Sequence, residues 1–546
     1  MNSTVKTGFS SAPNAAVDFD AIIIGAGVSG LYQLYRAREL GLRTRVLEAG
    51  PSVGGTWYWN RYPGARFDSE SWSYSYSFSQ ELLDEWDWEE HFAGQPETER
   101  YLNYVADKFD LRRDIQFNAV VTAAHYQEEN ASWKVTLNDG SHCTTRFLIT
   151  AVGVLSAAVM PRIPGTESFK GQSCHTHNWP KEPVSFEGKR VAVIGTGATG
   201  IQAITEIAKT AGHLTVFQRT AQWSAPLHNS KITPEEMREI RENYTDIFAR
   251  CQETVGCFIH ATDPRSVFEV TEQEREAFWE KRYGEPGFGI WMGNFRDVLT
   301  NLEANQLMSD FLARKIRGRV HDPVVAEKLV PKNHGFGTRR VPMESGYFEV
   351  YNQPNVKLID LNETPIECIS PEGIRTSDTD YAFDIIIYAT GFDAITGAFD
   401  RIDIRGVGAE TLKNKWADGP VTFLGILVDE FPNFMMVMGP HAGLGNFPRA
   451  VEFTADWVTA LIRHAHENGL TRVDASPQAS NAWTNHVIEM NEGLLFTEVD
   501  SWMTGVNRNV DGKQVRQVMR YSGGHPAFRQ RCEAVSQGGY RELTMT

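Results

Sequence analysis

Two glycine-rich turns, each set between an apolar strand and a helix, fix most of what this chain can fold into. The first, Gly25-Ala26-Gly27-Val28-Ser29-Gly30, follows Ala21-Ile22-Ile23-Ile24. The second, Gly195-Thr196-Gly197-Ala198-Thr199-Gly200, follows Val191-Ala192-Val193-Ile194. Glycines let such a turn close tightly and bring its backbone against a pyrophosphate, while the following helix aims free N–H groups and the positive end of its dipole at the phosphates. Two strand–turn–helix units predict an α/β protein with two Rossmann-like dinucleotide-binding domains.

The two units differ where the second strand ends. Counting the same interval from each first glycine reaches Glu48 in Arg45-Val46-Leu47-Glu48, but Gln218 in Thr215-Val216-Phe217-Gln218, with Arg219 and Thr220 next. A carboxylate at that place accepts hydrogen bonds from an adenosine ribose, whereas a cation suits a 2′-phosphate. The expected ligands are therefore FAD on Gly25, Gly27, Gly30 and Glu48, and NADPH (NADP+) on Gly195, Gly197, Thr199, Gly200, Arg219 and Thr220.

At 546 residues the chain has room for two or three domains. A net charge of -16 with scattered basic residues speaks against a nucleic-acid or membrane partner. No apolar run approaches the roughly 20 residues that span a bilayer. Residues 1–18 carry neither the apolar core of a signal peptide nor transit-peptide arginines, and read as a flexible tail. The six cysteines are dispersed without a CxxC pair, which points to the cytoplasm and away from bound metal or a dithiol reductase.

Along the chain, residues 19–155 read as the first part of the FAD-binding domain and 156–225 as the first part of the NADP-binding domain. Residues 226–330 read as a helical insertion covering the NADP unit, with acidic first turns such as Pro234-Glu235-Glu236. The NADP-binding domain resumes over 331–383. The run Asp384-Ile385-Ile386-Ile387-Tyr388 then looks like the strand returning the chain to the FAD domain, which 384–546 complete while closing the active site.

Three longer motifs narrow the reading. Phe169-Lys170-Gly171-Gln172-Ser173-Cys174-His175-Thr176-His177-Asn178-Trp179-Pro180 fits F-x-G-x-x-x-H-x-x-x-W-P at every fixed position. It resembles the signature of the Baeyer–Villiger monooxygenases, flavoenzymes that insert oxygen beside a ketone carbonyl. Gly54-Gly55-Thr56-Trp57, followed by Tyr62-Pro63-Gly64 and Asp68, resembles a second motif of that family, and Pro331 to Arg340 resembles its arginine-bearing segment. The resemblance runs from Ala21 to about Gly524.

The resemblance implies FAD contacts at Gly55, Thr56, Trp57 and Asp68, and NADPH contacts at Arg339 and Trp502. Phe169, Gly171, His175 and Trp179, over 169–180, are implied to form a linker or hinge, with His175 coupling domain movements instead of doing chemistry. Arg340 is implied to be catalytic, because a flavin-bound peroxide must stay anionic to attack a ketone, and a permanently charged guanidinium favours that anion. Asp68 is implied to hold Arg340 and offset its charge. The expected partners are O2 and a small ketone, giving an ester or lactone. The nearest alternative is an N- or S-oxygenating flavin monooxygenase, which shares both loops without needing the Asp68–Arg340 pair; a more distant one is a redox sensor that only binds the two nucleotides.

Overall fold

The computed structural model describes residues 17–546, so nearly all of the expected tail lies outside the described residues. Each glycine turn belongs to its own sheet. The first sheet runs in the order Asp403–Arg405, Val121–Gln127, Ser132–Leu137, His142–Thr150, Phe19–Ile24, Thr44–Leu47, Ile115–Gln116. Strand His142–Thr150 splits its partners: its start pairs antiparallel with Ser132–Leu137, and its end pairs parallel with Phe434–Met436.

The strand before the first turn is apolar without alternation because both its faces are covered. Ala21 and Ile23 pack into one core and Ile22 and Ile24 into another. The helix Val28–Glu39 lies against the long C-terminal helix Phe447–Glu467, where Gln33 Nε2 donates to Thr459 Oγ1 (3.0 Å) and Tyr32 OH to Asp456 Oδ1 (2.8 Å).

The second sheet is parallel throughout, in the order Val356–Asp360, His213–Gln218, Arg190–Ile194, Ile385–Tyr388, Gln172–His175. One sequence expectation needs correcting here. Ile385–Tyr388 is an inner strand of this sheet, buried on both faces, so the chain leaves the second unit after Tyr388 and not at 384. The edge strand Gln172–His175 belongs to the same sheet, so the start of the 169–180 motif is built into the second unit, within the residues 156–225 read as its first part.

The helical stretch also divides. Pro234–Glu253, opened by a capping box between Thr233 and Glu236, buries Met237, Tyr244 and Phe248 in the core of the first unit. Glu272–Gly284 and Leu302–Arg319 bury Trp279, Phe311 and Leu312 in the core of the second. The insertion thus covers both units, because the apolar faces of its helices point to different cores.

Two short strands, Ala157–Ala158 and Phe392–Asp393, pair antiparallel where the chain passes between the sheets. The outgoing and returning crossings therefore lie side by side.

Candidate active site

In the first unit Gly25 sits at φ +104°, and a Cβ there would stand 2.6 Å from the Ala151 carbonyl oxygen. A Cβ on Gly30 would stand 1.8 Å from the Gly25 oxygen, so Gly30 is needed for the helix to close on its own turn. The second unit repeats both features, with Gly195 at φ +107° and a Gly200 Cβ 2.4 Å from the Gly195 oxygen. Of the predicted loop glycines, Gly25, Gly27, Gly195 and Gly197 line one of two large cavities, and Gly30 and Gly200 line neither. A Cβ on Gly197 would meet no protein atom within 4 Å. That open space above a helix N-terminus is a cradle of the kind a pyrophosphate fills.

Glu48 is buried at its strand end. Its Oε2 accepts from the Ala26 N–H (2.6 Å) and its Oε1 from the Gly50 N–H (2.7 Å). Burial raises the pKa of this carboxyl and the two amides pull it back. It opens onto a cavity of 870 Å³ also lined by Gly55, Thr56, Trp57, Asp68 and Arg340. Trp57 is fixed by its Nε1–H donating to Tyr74 OH (3.1 Å).

The second unit borders a cavity of 1410 Å³, lined by Thr199, Arg219, Thr220, Arg339 and Trp502. Gln218 does not serve as the counterpart of Glu48, because its Nε2 donates to the Lys328 carbonyl (2.7 Å). Three guanidiniums, Arg219, Arg339 and Arg508, gather at this end, with Asp500 the acid beside Arg508 (3.4 Å). Burial lowers the Arg219 pKa and repulsion from Arg508 adds to it; burial lowers that of Arg339, with Arg219 and Arg508 adding to it against Asp500. Among the described residues no carboxylate pairs with Arg219, and Arg339 Nε is buried without a partner. Two desolvated guanidiniums, Arg219 and Arg339, with the more exposed Arg508 beside them, fit a phosphate dianion. Arg508 was missed by the sequence reading: it stands in no motif, and only folding of the segment after Trp502 brings it to the other two.

The two cavities meet. Thr56, Trp57, Arg66, Leu155, Arg340 and Trp502 line both. At this junction Arg340 Nη2 donates to Asp68 Oδ2 (2.8 Å), which also accepts from the Met343 N–H (3.1 Å). The Asp68 side chain is wholly buried and that of Arg340 is 30% exposed. Each keeps one buried atom without a hydrogen-bond partner, Arg340 Nη1 and Asp68 Oδ1. The guanidinium is thus held from one side and has a donor to spare at the meeting point of two nucleotide-sized cavities.

The second half of the 169–180 motif bridges the units. Trp179 donates its backbone N–H to the Trp59 carbonyl (3.2 Å), and His177 Nδ1 hydrogen-bonds Asn60 Oδ1 (2.9 Å). Burial lowers the pKa of His177 to about 4 and also lowers that of His175, so both rings are neutral at neutral pH. His175 Nδ1 accepts the His177 N–H, and its Nε2 faces Thr390 Oγ1 (3.3 Å) just past the inner strand. Phe169 packs beside the second sheet, and a Cβ on Gly171 would collide with the Asp384 carbonyl at 2.6 Å. Of these five motif residues only His177 lines a cavity, the one beside the first unit. Among the described residues no group of His, Cys, Asp and Glu is arranged to hold a metal ion, and no helix is long and apolar enough to cross a membrane.

Comparison with known proteins places this geometry. The flavin-binding monooxygenase-like family matches residues 20–245. The chain is 47% identical over 529 residues to 2-oxo-Delta(3)-4,5,5-trimethylcyclopentenylacetyl-CoA monooxygenase of Pseudomonas putida, covering 95% of this chain and 97% of that protein. It is 40% identical over 532 residues to a Baeyer-Villiger monooxygenase of Pseudooceanicola batsensis, covering 96% of each. The crystal structure of OTEMO in complex with FAD and NADP superposes with a TM-score of 0.94 at 46% identity, covering 97% of this chain and 100% of that one.

Proposed function

This chain belongs to the Baeyer–Villiger monooxygenases, FAD- and NADPH-dependent enzymes that insert one atom of O2 beside a ketone carbonyl, and from that premise we propose how its residues divide the work. The first unit takes FAD and the second NADPH. Bound together, the two nucleotides supply hydride transfer and the activation of dioxygen.

Glu48 receives the ribose hydroxyls of FAD through its outward lone pairs, its inward ones being taken by Ala26 and Gly50. Gly27, Gly55, Thr56 and Trp57 form the wall against the flavin. Gly197 and Thr199 cradle the NADPH pyrophosphate, and Arg219, Thr220 and Arg339, with Arg508, hold its 2′-phosphate. Trp502, which borders both cavities, covers the nicotinamide end and keeps water out.

Arg340 is the catalytic residue. A ketone carbonyl that becomes tetrahedral places negative charge on its oxygen, and Arg340 Nη1 is the free donor at the junction. A guanidinium stays protonated at any working pH, so it delivers no proton and favours anionic oxygen throughout. Asp68 fixes its orientation and offsets its charge in a site where an unpaired cation is costly. Phe169, Gly171 and His175 anchor the motif to the second sheet, and the stretch from His177 to Trp179 acts as the hinge between the units. The substrate is a cyclic ketone and the product a lactone, in keeping with the cyclopentenyl ring in the name of the Pseudomonas putida relative. Six free cysteines, four of them buried, accord with a reducing cytoplasm.

The observation that carries this reading is the Asp68–Arg340 pair on the boundary of both cavities. Offering the FAD-loaded enzyme a cyclic ketone and an alkyl amine in the same vessel tests it. Lactone is expected; N-oxide as the sole product would replace it with the N-oxygenating alternative.

A further inference from the structure

The flavin-side cavity continues beyond Arg340 along an aromatic wall. Arg340 Cζ lies 5.9 Å from the centre of the Phe288 ring, and Phe288 lies 5.7 Å from Trp291. Leu299 touches the same stretch, and its carbonyl accepts the Leu495 N–H (3.2 Å). Next in the wall is Phe496, with Arg520 Cζ over its ring at 4.7 Å. Arg520 lines this cavity too.

Arg520 has no carboxylate. Among the described residues its side chain makes no ion pair and no hydrogen bond, and its Nε is shielded from solvent. Burial is the sole influence on its pKa, lowering it to about 10, so it stays charged at neutral pH. Other arginines buried near this cavity have an acid: Arg340 has Asp68 and Arg449 has Glu452. An aromatic face compensates a desolvated guanidinium only in part. Two further polar groups of the same cavity are also unsatisfied. His525 is 2% exposed, both its ring nitrogens lack partners, and burial with Arg529 nearby brings its pKa to about 4, which leaves the ring neutral. Trp291 Nε1 is buried without an acceptor. Three orphan polar side chains line a cavity whose remaining wall is largely apolar.

Resting on the ketone-oxygenating reading above, we propose that Arg520 binds an anionic group, a carboxylate or a phosphate, that the ketone carries several bonds from its carbonyl, with His525 as a second hydrogen-bonding partner. The enzyme then selects charged ketones over neutral ones, with Arg340 addressing the carbonyl and Arg520 the far end.

The test compares 2-oxocyclopentylacetate, 2-oxocyclopentylethyl phosphate and the uncharged methyl ester of the first, on FAD-loaded wild-type, Arg520→Gln and Arg520→Lys enzymes. Dissociation constants come from calorimetric titration, which needs no turnover, and kcat/KM from lactone formation. Wild type is expected to bind at least one anion about tenfold or more tighter than the ester, as a charge-assisted contact does. Arg520→Gln should erase that preference and leave the ester within about twofold; Arg520→Lys should keep part of it. Which anion is preferred identifies the group. No preference in wild type, or equal weakening of anion and ester in Arg520→Gln with flavin content unchanged, overturns the proposal. Binding preferences as expected with no lactone from any ketone would instead refute the assigned reaction and leave Arg520 as an anion site.

Discussion

Replacing Arg340 with alanine perturbs stability and chemistry in separable ways. In the native pair the Asp68 carboxylate is wholly buried and has two donors, Arg340 Nη2 and the Met343 N–H. The variant leaves it with one. Removing one partner of a buried pair costs about 3–5 kcal/mol because a charge is stranded. Arg340 is 30% exposed, so water can enter the vacated space, and about 3 kcal/mol is the expected loss. Adding Asp68→Ala removes the stranded charge and should recover part of it, a coupling of about 1–3 kcal/mol. Urea unfolding of the FAD-loaded proteins, followed by flavin fluorescence, measures the order: wild type, then the double variant, then Arg340→Ala. In the same preparations NADPH should still be oxidised, since the glycine turn and the phosphate-end arginines of the second cavity are untouched, while ester falls about a hundred- to a thousandfold, the scale for losing a donor to a developing oxyanion. Arg340→Ala that makes ester at more than a tenth of the wild-type rate would refute the catalytic role. A double variant no more stable than Arg340→Ala would refute the charge-compensation argument.

Three further outcomes follow from the same coordinates. Gly30→Ala should yield protein without flavin, since its Cβ would stand 1.8 Å from the Gly25 oxygen, whereas Gly197→Ala should fold and keep FAD but weaken NADPH, its Cβ entering open space; flavin content and KM decide between them. Arg219→Ala should raise KM for NADPH far more than for NADH, and Arg508→Ala should do so by a few-fold because its side chain is 66% exposed; equal losses for both nucleotides would undo the phosphate assignment. Burial pushes the Glu97 carboxyl up to about 7, while its Oε1 accepts the Glu89 N–H. Its folded pKa is above the unfolded value, so its contribution is full below about 4.5 and is lost as pH rises through about 7. Glu97→Gln should therefore gain thermal stability over wild type at pH 8 and little at pH 4, and a pH-independent difference would contradict this.

The sequence carried the parts of the fold that local physics determines. Unalternating apolar strands at Ala21–Ile24 and Val191–Ile194, each ending in a glycine turn, admit few arrangements other than parallel sheets covered on both faces. The residues 331–388 were harder, because Ile385–Tyr388 has the same local signature whichever sheet it joins, and only its pairing with Arg190–Ile194 and Gln172–His175 settles the matter. The helices after Thr233 were legible as helices from their capping boxes, but not as belonging to two cores. An amphipathic pattern says that a face is buried and not what buries it.

The site divides in the same way, and the division has a structural cause. Ligands of open parallel sheets bind beyond the carboxyl ends of the strands. The two sheets here are joined by crossings that run antiparallel to each other, Ala157–Ala158 with Phe392–Asp393, and the loops beyond both sets of strand ends border adjoining cavities. Residues that act within one unit, such as Glu48 and Arg219, sit at a fixed distance from their own glycine turn, and spacing alone finds them. Residues that act across the junction have no such spacing: 272 positions separate Asp68 from Arg340, and that pair was recognisable only through whole motifs. Arg508 and Arg520 lie outside any motif and become visible only when folding brings them to a cavity, Arg520 with no acid beside it. Substrate choice is therefore expected to vary through the segment after Trp502, because that segment reaches both cavities while carrying no part of either glycine turn. Exchanging residues 505–522 for those of a relative with a different ketone preference should transfer the preference and leave FAD content unchanged, whereas loss of flavin would show that the segment belongs to the scaffold.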